Sequence, residues 1–593
     1  MIFTPGRFAG SKNHKRLTMR VLVKTALCML LAVACGKPAA DVPSSDIPAV
    51  PQNLKCHSST DNSLTFQWTA VEGATSYEWK LTGEGSFSKE GTSAKRNVTV
   101  DGLTPGTTYS FSVQAVSSAG KSGFCAPVEG TTTGTTPEPP GPEGPDAPEA
   151  VCVDSPLTVD VGSDAALGTS GLIQVFKKDG TLVDKIDMAD IAKVNILEDG
   201  TMVPKETINN GTVLHTFMDM LHSTRYRPVH YTPVRLEGGK LVIKLHNEAL
   251  DFGGSYYFTV DASVAGKAVE KADFTTKARP SGTTLKVAAD GKADFCTVQG
   301  ALSYATTLGK NDAVTIEVAD GTYRELLYLR DKNNLTIKGA SRGKTVIAYP
   351  NNESYATGSG AAASSKPSIG NTVGVLGGRC LFLAESCDNL VIENLTIENT
   401  FWADDHKGQA ETIYFNGDNK KLTIESCNLI SWQDTFLCKG EVWVHKSLIA
   451  GHVDFIWGYP KACLFEDCEI RSRAGGYIVQ ARCPAGSKGF VFLNCSITAE
   501  EGVSGGSVWL ARSGGDTSVY DNVTYVNCSM TAAIAPAGWH TGKTPTPATP
   551  TATSGWKEYG TTGVSTASRN SYGKILTAAE AEAFSSKAAV LGW

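Results

Sequence analysis

Two aspartates in the C-terminal half of the chain, Asp434 and Asp454, occupy equivalent positions in a sequence repeat. Each follows by seven residues a small side chain, Cys427 or Ser447, at the sixth position of a short apolar segment. If these segments are adjacent strands of one sheet, the two carboxylates lie within ~5 Å of each other on one face. Repulsion of about 3 kcal/mol would then favour a proton on one carboxyl beside an anionic partner. Such a pair supplies a general acid next to a nucleophile or base.

The repeat that positions these aspartates runs through the second half of the chain. Six apolar segments align at one position, which holds a small side chain in five of them, and successive aligned positions are 32, 20, 21, 27 and 33 residues apart. A degenerate repeat with loops of variable length is typical of a β-solenoid, in which equivalent residues stack in ladders along the axis. The sequence therefore predicts a parallel β-helix over residues 280–593. The aligned residues are Leu395, Cys427, Ser447, Cys468, Cys495 and Cys528.

The chain contains fifteen cysteines, which raises the question of disulfides or a metal site. We interpret the cysteines of the ladder as packing, because a free Cys behaves as a small buried hydrophobe. Disulfides are the alternative. A metal site is disfavoured because no CxxC or paired-His spacing accompanies these cysteines. Outside the ladder, Cys56 and Cys125 lie near the two ends of one predicted module and are a candidate pair.

Residues 1–35 have the pattern of a targeting segment. Lys12, Lys15, Arg16 and Arg20 precede the apolar run 21–34, which is too short to span a bilayer. The run ends at Ala34-Cys35-Gly36, which resembles the cleavage box of bacterial lipoproteins and implies a lipid on the sulfur of Cys35. An ordinary signal peptide is the alternative. We therefore expect an exported protein, held at the outer membrane or cell surface by its lipid, or otherwise periplasmic or secreted.

Two modules of alternating strand-like segments precede the repeat. In the first, Trp68 and the turn before Tyr109 resemble the buried Trp and tyrosine corner of fibronectin type III domains. The second is interpreted as an Ig-like β-sandwich that acts as a spacer, with sugar binding as the alternative. The fold class is all-β, with two β-sandwich modules before the β-helix. The predicted segments are a tether (36–48), the first module (49–133), a Pro-rich linker (134–149) and the second module (150–279).

The segments around the two aspartates resemble pectin methylesterases. Gln433-Asp434-Thr435 and Asp454-Phe455-Ile456-Trp457-Gly458 are similar to two signatures of that family. The resemblance covers about 285–593 and implies a right-handed parallel β-helix that removes methyl esters from pectin, without a metal or cofactor. Further matches, in the same order as in the family, are Gly321-Thr322-Tyr323-Arg324-Glu325, Gln409-Ala410, Leu510-Ala511-Arg512 and Trp556-Lys557-Glu558-Tyr559.

The resemblance also implies a role for each matched residue. Asp454 is expected to attack the ester carbonyl, which forms an acyl-enzyme and releases methanol. Asp434 is expected to protonate the leaving methoxide and then to activate water as a base. Gln433 and Gln409 would donate hydrogen bonds to the developing oxyanion, and Arg512 would keep Asp454 ionised and oriented. Contacts with the substrate are assigned to Val453, Trp457 and Arg512.

The sequence departs from the family pattern at two places. Arg512 is followed by Ser513-Gly514, where the family carries Pro and then a Trp that stacks on the substrate. Trp509 and Trp432 are the candidates to replace it. The Gln-Ala segment continues as Glu411-Thr412-Ile413, where small apolar residues are usual. These differences leave the aspartate chemistry intact but affect how the substrate is held.

Other interpretations remain open at this stage. A pectate lyase would need a calcium-binding acidic cluster, and a glycoside hydrolase would need carboxyls at one of two fixed separations. An exported polysaccharide-binding protein without activity and an esterase for another acyl substrate are further alternatives. His445 and His452 are expected in surface or packing roles and Glu325 in a structural one. The net charge of -6, without a basic stripe, excludes nucleic acid as a partner; we expect a monomer that binds pectin.

Overall fold

The computed structural model describes residues 47–60, 62–83, 87–133, 149–205, 216–221, 225–355, 373–401 and 408–593. Cys35 with the whole predicted targeting segment, most of the tether and most of the Pro-rich linker lie outside these ranges. The chain divides into two compact units, 1–142 and 143–593. Within the described ranges, no helix has the length and apolar character needed to cross a membrane. The domain boundaries given above stay predictions.

The first unit contains a β-sandwich, as predicted. The rings of Phe66 and Phe111, from opposite sheets, stack at 4.2 Å in its core. The hydroxyl of Tyr109 accepts a hydrogen bond from the backbone N–H of Thr104 at 2.8 Å, which is the tyrosine corner. One sheet consists of Lys55–Ser59, Ser63–Gln67 and Asn97–Asp101, and the other of Ser88–Ser93, Ser76–Thr82, Thr108–Ser117, Gly120–Lys121 and Val128–Thr131.

The second unit begins with another β-sandwich, whose two main sheets share one apolar core. Arg227, on a short strand beyond these sheets, is fully buried, and its guanidinium donates to the backbone carbonyl of Leu381 at 3.0 Å in the β-helix. The sandwich and the β-helix therefore pack against each other. The four-stranded sheet is Leu182–Asp187, Leu172–Lys177, Ser255–Val260 and Val269–Thr275, and the three-stranded one is Val234–Glu237, Lys240–Ile243 and Leu157–Asp160. The short elements are Met188–Lys193 (3-10), Val194–Ile196, Met202–Pro204, Met218–Leu221, Arg227–His230 and the helix Ala262–Ala265.

The rest of the unit is a parallel β-helix, which confirms the predicted fold class. On most coils the chain passes through three parallel faces, here called sheets C, B and A in that order, of which A and C are joined into one continuous sheet by two long strands. Sheet C holds Thr284–Val287, Val314–Val318, Leu335–Gly339, Leu390–Glu393, Lys421–Glu425, Gly489–Leu493, Val523–Val526, Trp556–Tyr559 and Gly573–Ile575. Sheet B holds Gly321–Tyr323, Thr345–Tyr349, Thr396–Asn399, Asn428–Ile430, Leu448–Gly451, Glu469–Ser472, Ser496–Ala499 and Ser529–Met530. Sheet A holds Leu327–Arg330, Phe382–Glu385, Ile413–Asn416, Gly476–Ala481 and Val508–Ala511, and the long strands Phe436–His445 and Ile456–Glu466 run from sheet A into sheet C.

A left-handed residue turns the chain from sheet C to sheet B just before each aligned position of the repeat. Asn494, for example, has φ 54° and precedes Cys495, whose thiol donates to the carbonyl of Phe465 on the previous coil at 3.3 Å. The thiols of Cys427, Cys468 and Cys528 make equivalent bonds of 3.3–3.5 Å. All thirteen described cysteines are free thiols, including the candidate pair in the first module. The ladder cysteines therefore pack as small buried side chains.

Short helices pack against the β-helix at two places. At the first coils, Val298–Thr307 contributes apolar side chains to the core, and the buried Glu325 accepts from the backbone N–H groups of Val298 and Gln299, both at 2.8 Å. Glu325 therefore satisfies the start of a helix, which is the structural role expected for it. At the other end, Ala578–Ala581, Glu582–Phe584 (3-10) and Lys587–Leu591 cover the outer face of sheet C.

Replacing Glu325 by Gln is expected to destabilise the β-helix by about 1–3 kcal/mol. The amide keeps one acceptor oxygen but turns an NH₂ group toward a backbone donor, which leaves a buried N–H unsatisfied. The unfolding transition of the full chain, followed by scanning calorimetry, measures the effect. Glu317→Gln is the matched control, because Glu317 lies exposed on a neighbouring strand and its loss should leave the transition unchanged. An unchanged transition in both variants would contradict the capping role.

Candidate active site

Asp434 and Asp454 lie opposite each other at the start of neighbouring strands of sheet A. Phe436 pairs with Ile456 in parallel register, and each aspartate lies two residues before these positions. The amide of Asp434 donates to the carbonyl of Val453 at 3.3 Å. Both aspartates have left-handed backbone, with φ 65° and 53°, and both are nearly buried, at 3% and 5% exposure. The structure thus brings together the two carboxylates that the repeat aligned.

The carboxylate of Asp454 is held on both oxygens by charge-assisted bonds. Nε of Arg512 donates to Oδ1 at 2.7 Å and to Oδ2 at 2.9 Å, and Nη2 also donates to Oδ2. Gln480 donates from Nε2 to Oδ2 at 3.3 Å. Arg482 donates to Oε1 of Gln480 at 3.0 Å, and because a guanidinium can only donate, this bond turns the amide nitrogen of Gln480 toward Asp454.

Asp434 has a different environment. Burial raises the pKa of Asp434 well above its usual range, and the negative charges of Glu411 and Asp454 raise it further. Arg379 and Arg482 act in the opposite direction. The larger cause of the raised pKa is thus the loss of water around Asp434, and not the repulsion between the two aspartates from which the sequence predicts a retained proton.

A buried ion pair lies beside Asp434. Arg379 and Glu411 are 3% and 0% exposed, and Nη2 of Arg379 is 2.7 Å from Oε1 of Glu411 and 3.4 Å from Oδ2 of Asp434. Nη1 of Arg379 donates to Oε1 of Gln409. The sequence marked Glu411 only as a departure from the family pattern. It gave no signal for Arg379, which lies 32 residues earlier and reaches the site from the end of the short helix Gly374–Arg379.

The two glutamines assigned to the oxyanion flank Asp434. Gln409 and Gln433 form an isolated parallel bridge between neighbouring coils, and the amide of Ala410 donates to the carbonyl of Gln433 at 3.1 Å. Both side chains are half-buried. This arrangement brings two carboxamides to the same edge of sheet A as the aspartates.

Trp457, on a strand of sheet A, has two arginines near its ring. Its ring is nearly buried, with the guanidinium carbons of Arg379 and Arg482 at 5.5 and 5.0 Å from the ring centroid. Val453 is half-buried and contacts Asp434 through its carbonyl. Two cations therefore lie close enough to the Trp457 ring for cation–π attraction.

Three aromatic side chains, Tyr477, Trp509 and His540, lie on the coils that follow Asp454 and are called the aromatic row. The amide of Asp454 donates to the carbonyl of Tyr477 on the next strand, and Tyr477 pairs with Trp509 on the strand after that. The ring of His540 packs on both, at 4.6 Å from Tyr477 and 5.2 Å from Trp509, and the guanidinium of Arg512 lies 5.1 Å from the Tyr477 ring. Of the two tryptophans considered as replacements, Trp509 lies in this row.

The other candidate tryptophan and the two histidines have packing contacts. Trp432 lies at the turn from sheet B to sheet A, with its ring 4.9 Å from that of His452. His445 lies on the part of its strand that belongs to sheet C, bonds the carboxylate of Glu425 at 2.7 Å and stacks on Trp443. Packing or surface roles are what the sequence argument expected for both histidines.

One group of side chains in the described ranges has the spacing of a metal site. It consists of Cys152, Asp154 and Cys296, where the second sandwich meets the first coil. The carboxylate of Asp154 already accepts from the backbone N–H groups of Cys296 and Thr297, at 2.9 and 2.8 Å. This group of three side chains contains none of the residues that surround Asp434 and Asp454.

Two family models and several known proteins are similar to this chain. The pectinesterase family model matches residues 284–592, and the fibronectin type III model matches 49–131. Pectinesterase 31 of Arabidopsis thaliana is 30% identical over 260 residues, which is 43% of this chain and 76% of that protein. Probable pectinesterase/pectinesterase inhibitor 64 of the same plant is 31% identical over 290 residues, 44% of this chain and 43% of that longer protein. The solved pectin methylesterase PemA of Erwinia chrysanthemi aligns at 25% identity with a TM-score of 0.43, over 53% of this chain and 98% of that one.

The family match covers more than half of the chain and includes every residue of the site described above. The two aspartates, their arginine and both glutamines fall inside it. The chain therefore belongs to the pectinesterase family and is an enzyme of the carboxylic ester hydrolase class.

Proposed function

We propose that this protein hydrolyses the methyl esters of galacturonate residues in pectin, giving pectate and methanol through an acyl intermediate on Asp454. The observation that carries the proposal is the contrast between the two facing aspartates. Asp454 has both carboxylate oxygens bonded by Arg512, so its charge is oriented. Asp434 is buried and its pKa is raised, which keeps a proton available. An anionic nucleophile beside a protonated acid is what ester cleavage with a poor leaving group needs.

In the first half of the reaction, an oxygen of Asp454 attacks the ester carbonyl carbon. The bond from that carbon to the methoxy oxygen breaks, and Asp434 transfers its proton to the leaving oxygen, which departs as methanol. Gln409 and Gln433 are proposed to donate to the oxyanion as it develops. The product is an anhydride between Asp454 and the galacturonate carboxyl, with Asp434 now ionised.

In the second half, Asp434 removes a proton from a water molecule that attacks the same carbonyl carbon. The bond to Asp454 breaks, which restores its carboxylate and the proton on Asp434. The galacturonate product leaves as a carboxylic acid and loses its proton to solvent. Each aspartate thus ends the cycle in the state in which it began, and no other group has to change its charge.

The test is methanol release from highly methylated pectin by the full chain, with the length of the polysaccharide measured in parallel. Methanol release without shorter or unsaturated oligosaccharides supports the proposal. Shortened or unsaturated products would instead indicate a hydrolase or lyase. Absence of methanol at every pH would contradict the proposal. The remaining hypotheses would then be an inactive polysaccharide-binding protein or an esterase for another acyl group.

The aromatic row next to Asp454 is proposed to contact the sugar, with Val453, Trp457 and Arg512. Trp509→Ala should lower kcat/KM about 2- to 10-fold, mainly through KM, because one aromatic contact contributes about 0.5–1.5 kcal/mol. Steady-state kinetics of methanol release measure the change. Trp432→Ala is the comparison, since Trp432 packs at a turn beside His452. A larger rise in KM for Trp432→Ala than for Trp509→Ala would show that the wrong tryptophan had been assigned.

We also propose, from residues 1–35 alone, that the protein is exported and anchored by a lipid on Cys35. Metabolic labelling with a radioactive fatty acid would reveal the lipid. Cys35→Ser should lose the label and move the protein out of the membrane fraction. An unlabelled wild-type protein would favour the ordinary signal peptide.

A further inference from the structure

The ion pair Arg379–Glu411 is placed where it can act on two groups of the proposed mechanism. Nε of Arg379 donates to both oxygens of Glu411, at 2.8 and 3.0 Å, and Nη2 lies 2.7 Å from Oε1. The remaining nitrogen, Nη1, donates to Oε1 of Gln409. The guanidinium therefore bonds a fixed counter-ion on one side and a proposed oxyanion donor on the other.

The bond to Gln409 determines which way its carboxamide faces. A guanidinium has five N–H donors and no acceptor, so the atom of Gln409 that faces Arg379 is the carbonyl oxygen. The amide nitrogen lies on the opposite side of the carboxamide and faces away from the cation. Arg482 fixes Gln480 beside Asp454 in the same manner. Each aspartate thus has a neighbouring glutamine whose orientation is fixed by an arginine.

The charge of Arg379 also faces Asp434, at 3.4 Å. Around Asp434 the negative charges are Glu411, on the turn before the adjacent strand, and Asp454, on the next strand. The positive charges are Arg379, Arg482 and Arg512. Glu353 faces the ion pair itself. Glu411 therefore offsets the cation nearest to Asp434, and an unpaired Arg379 would favour the ionised form of that carboxyl.

We propose that Arg379 is a positioning residue that orients Gln409 for the oxyanion, and that Glu411 neutralises Arg379 so that Asp434 retains its proton. This inference rests on the proposed function, in which Asp434 is the acid. It assigns a purpose to Glu411, a charged residue at a position where small apolar residues are usual in the family. Arg379 reaches the proposed machinery only through Gln409 and one oxygen of Asp434, and Glu411 acts through Arg379, so both are positioning residues.

The first test is the pH dependence of kcat for methanol release by Glu411→Gln. Activity requires protonated Asp434, so it falls as the pH rises through the pKa of that group. With Arg379 no longer neutralised, this alkaline limb should move to lower pH by about one unit or more. Glu500→Gln is the matched control, because it removes the carboxylate from the ion pair with Arg473, where both residues directly follow strands of sheet B, and should leave the limb unchanged. An unmoved limb in Glu411→Gln overturns the inference.

The second test removes both charges, which avoids leaving one charge buried without a partner. Arg379→Met with Glu411→Met should keep the wild-type alkaline limb, because both charges are lost together. Its kcat should nevertheless fall about 10- to 100-fold with little change in KM, since the carboxamide of Gln409 is no longer oriented. A folded double variant with the wild-type kcat would show that the pair is only structural.

A readout without turnover separates this inference from the proposed function. The carbonyl stretch of a protonated Asp434, identified by its absence in Asp434→Asn, can be titrated by infrared difference spectroscopy. It should disappear at lower pH in Glu411→Gln than in the wild type, whether or not pectin is the substrate. If the wild type releases no methanol but the band behaves in this way, the proposed function fails and the inference stands. If methanol is released and the band is identical in both proteins, the reverse holds.

Discussion

Replacing Asp454 by Asn should abolish methanol release from methylated pectin, with kcat reduced roughly 10⁴-fold or more. The amide has nearly the shape of the carboxylate but cannot attack a carbonyl as an anion. Arg512 would lose its ionic partner, yet its side chain is 32% exposed and can be solvated, so the fold should survive. Methanol release by wild type and variant, together with thermal unfolding of both, measures the effect.

Asp516→Asn provides the control for this prediction. Asp516 is an exposed carboxylate only four residues from Arg512 in sequence, and its side chain bonds Ser518 at 2.7 Å. Its replacement removes the same charge from the same region and should leave kcat unchanged. If Asp454→Asn keeps more than a few per cent of wild-type activity, Asp454 is not the nucleophile.

The position of the two aspartates was predictable because both lie at the same distance in sequence from an aligned position of the repeat. Seven residues separate each aspartate from its aligned ladder position, and the chain makes the same turn between them on both coils. Parallel strands conserve register, so equal counts give facing residues. The structure pairs Phe436 with Ile456, as that count requires. The fold class followed from the same spacing.

The surroundings of Asp434 were not predictable in this way. Arg379 ends a short helix and Glu411 precedes a strand of sheet A, so the two residues do not share a position of the repeat. Only the folded chain shows that their side chains meet. The same holds for Gln480, which follows a glycine-containing turn after sheet B. Burial, which decides the pKa of Asp434, depends on all of these neighbours at once and is not a property of a local pattern.

The bonding state of the ladder cysteines also could not be settled from the sequence. Cysteine spacing favoured packing, left disulfides as the alternative and disfavoured a metal site. The structure resolves the choice through hydrogen-bond geometry: the thiol of Cys495 donates to a carbonyl on the previous coil, and so does that of Cys528. Each sulfur thus has a partner within the coil stack.

The second large effect is expected for Asp434→Asn, and its size should depend on the leaving group. With methyl esters, kcat should fall about 10²–10⁴-fold, because methoxide is a poor leaving group and the amide has no proton to transfer. A trifluoroethyl ester of the same oligogalacturonate has a leaving group that needs little protonation. Its acylation should recover toward the wild-type rate, whereas water attack still lacks a base.

Asp434→Asn with the trifluoroethyl ester should therefore give a burst of one trifluoroethanol per enzyme, followed by slow turnover, with the acyl group visible on Asp454 by mass spectrometry. Asp454→Asn should give no burst with either ester, because there is no nucleophile to acylate. The two variants thus distinguish the roles of two residues of the same type that lie opposite each other. A burst from Asp454→Asn, or equal losses on both esters for Asp434→Asn, would mean that the assignment of nucleophile and acid is reversed or that Asp434 transfers no proton.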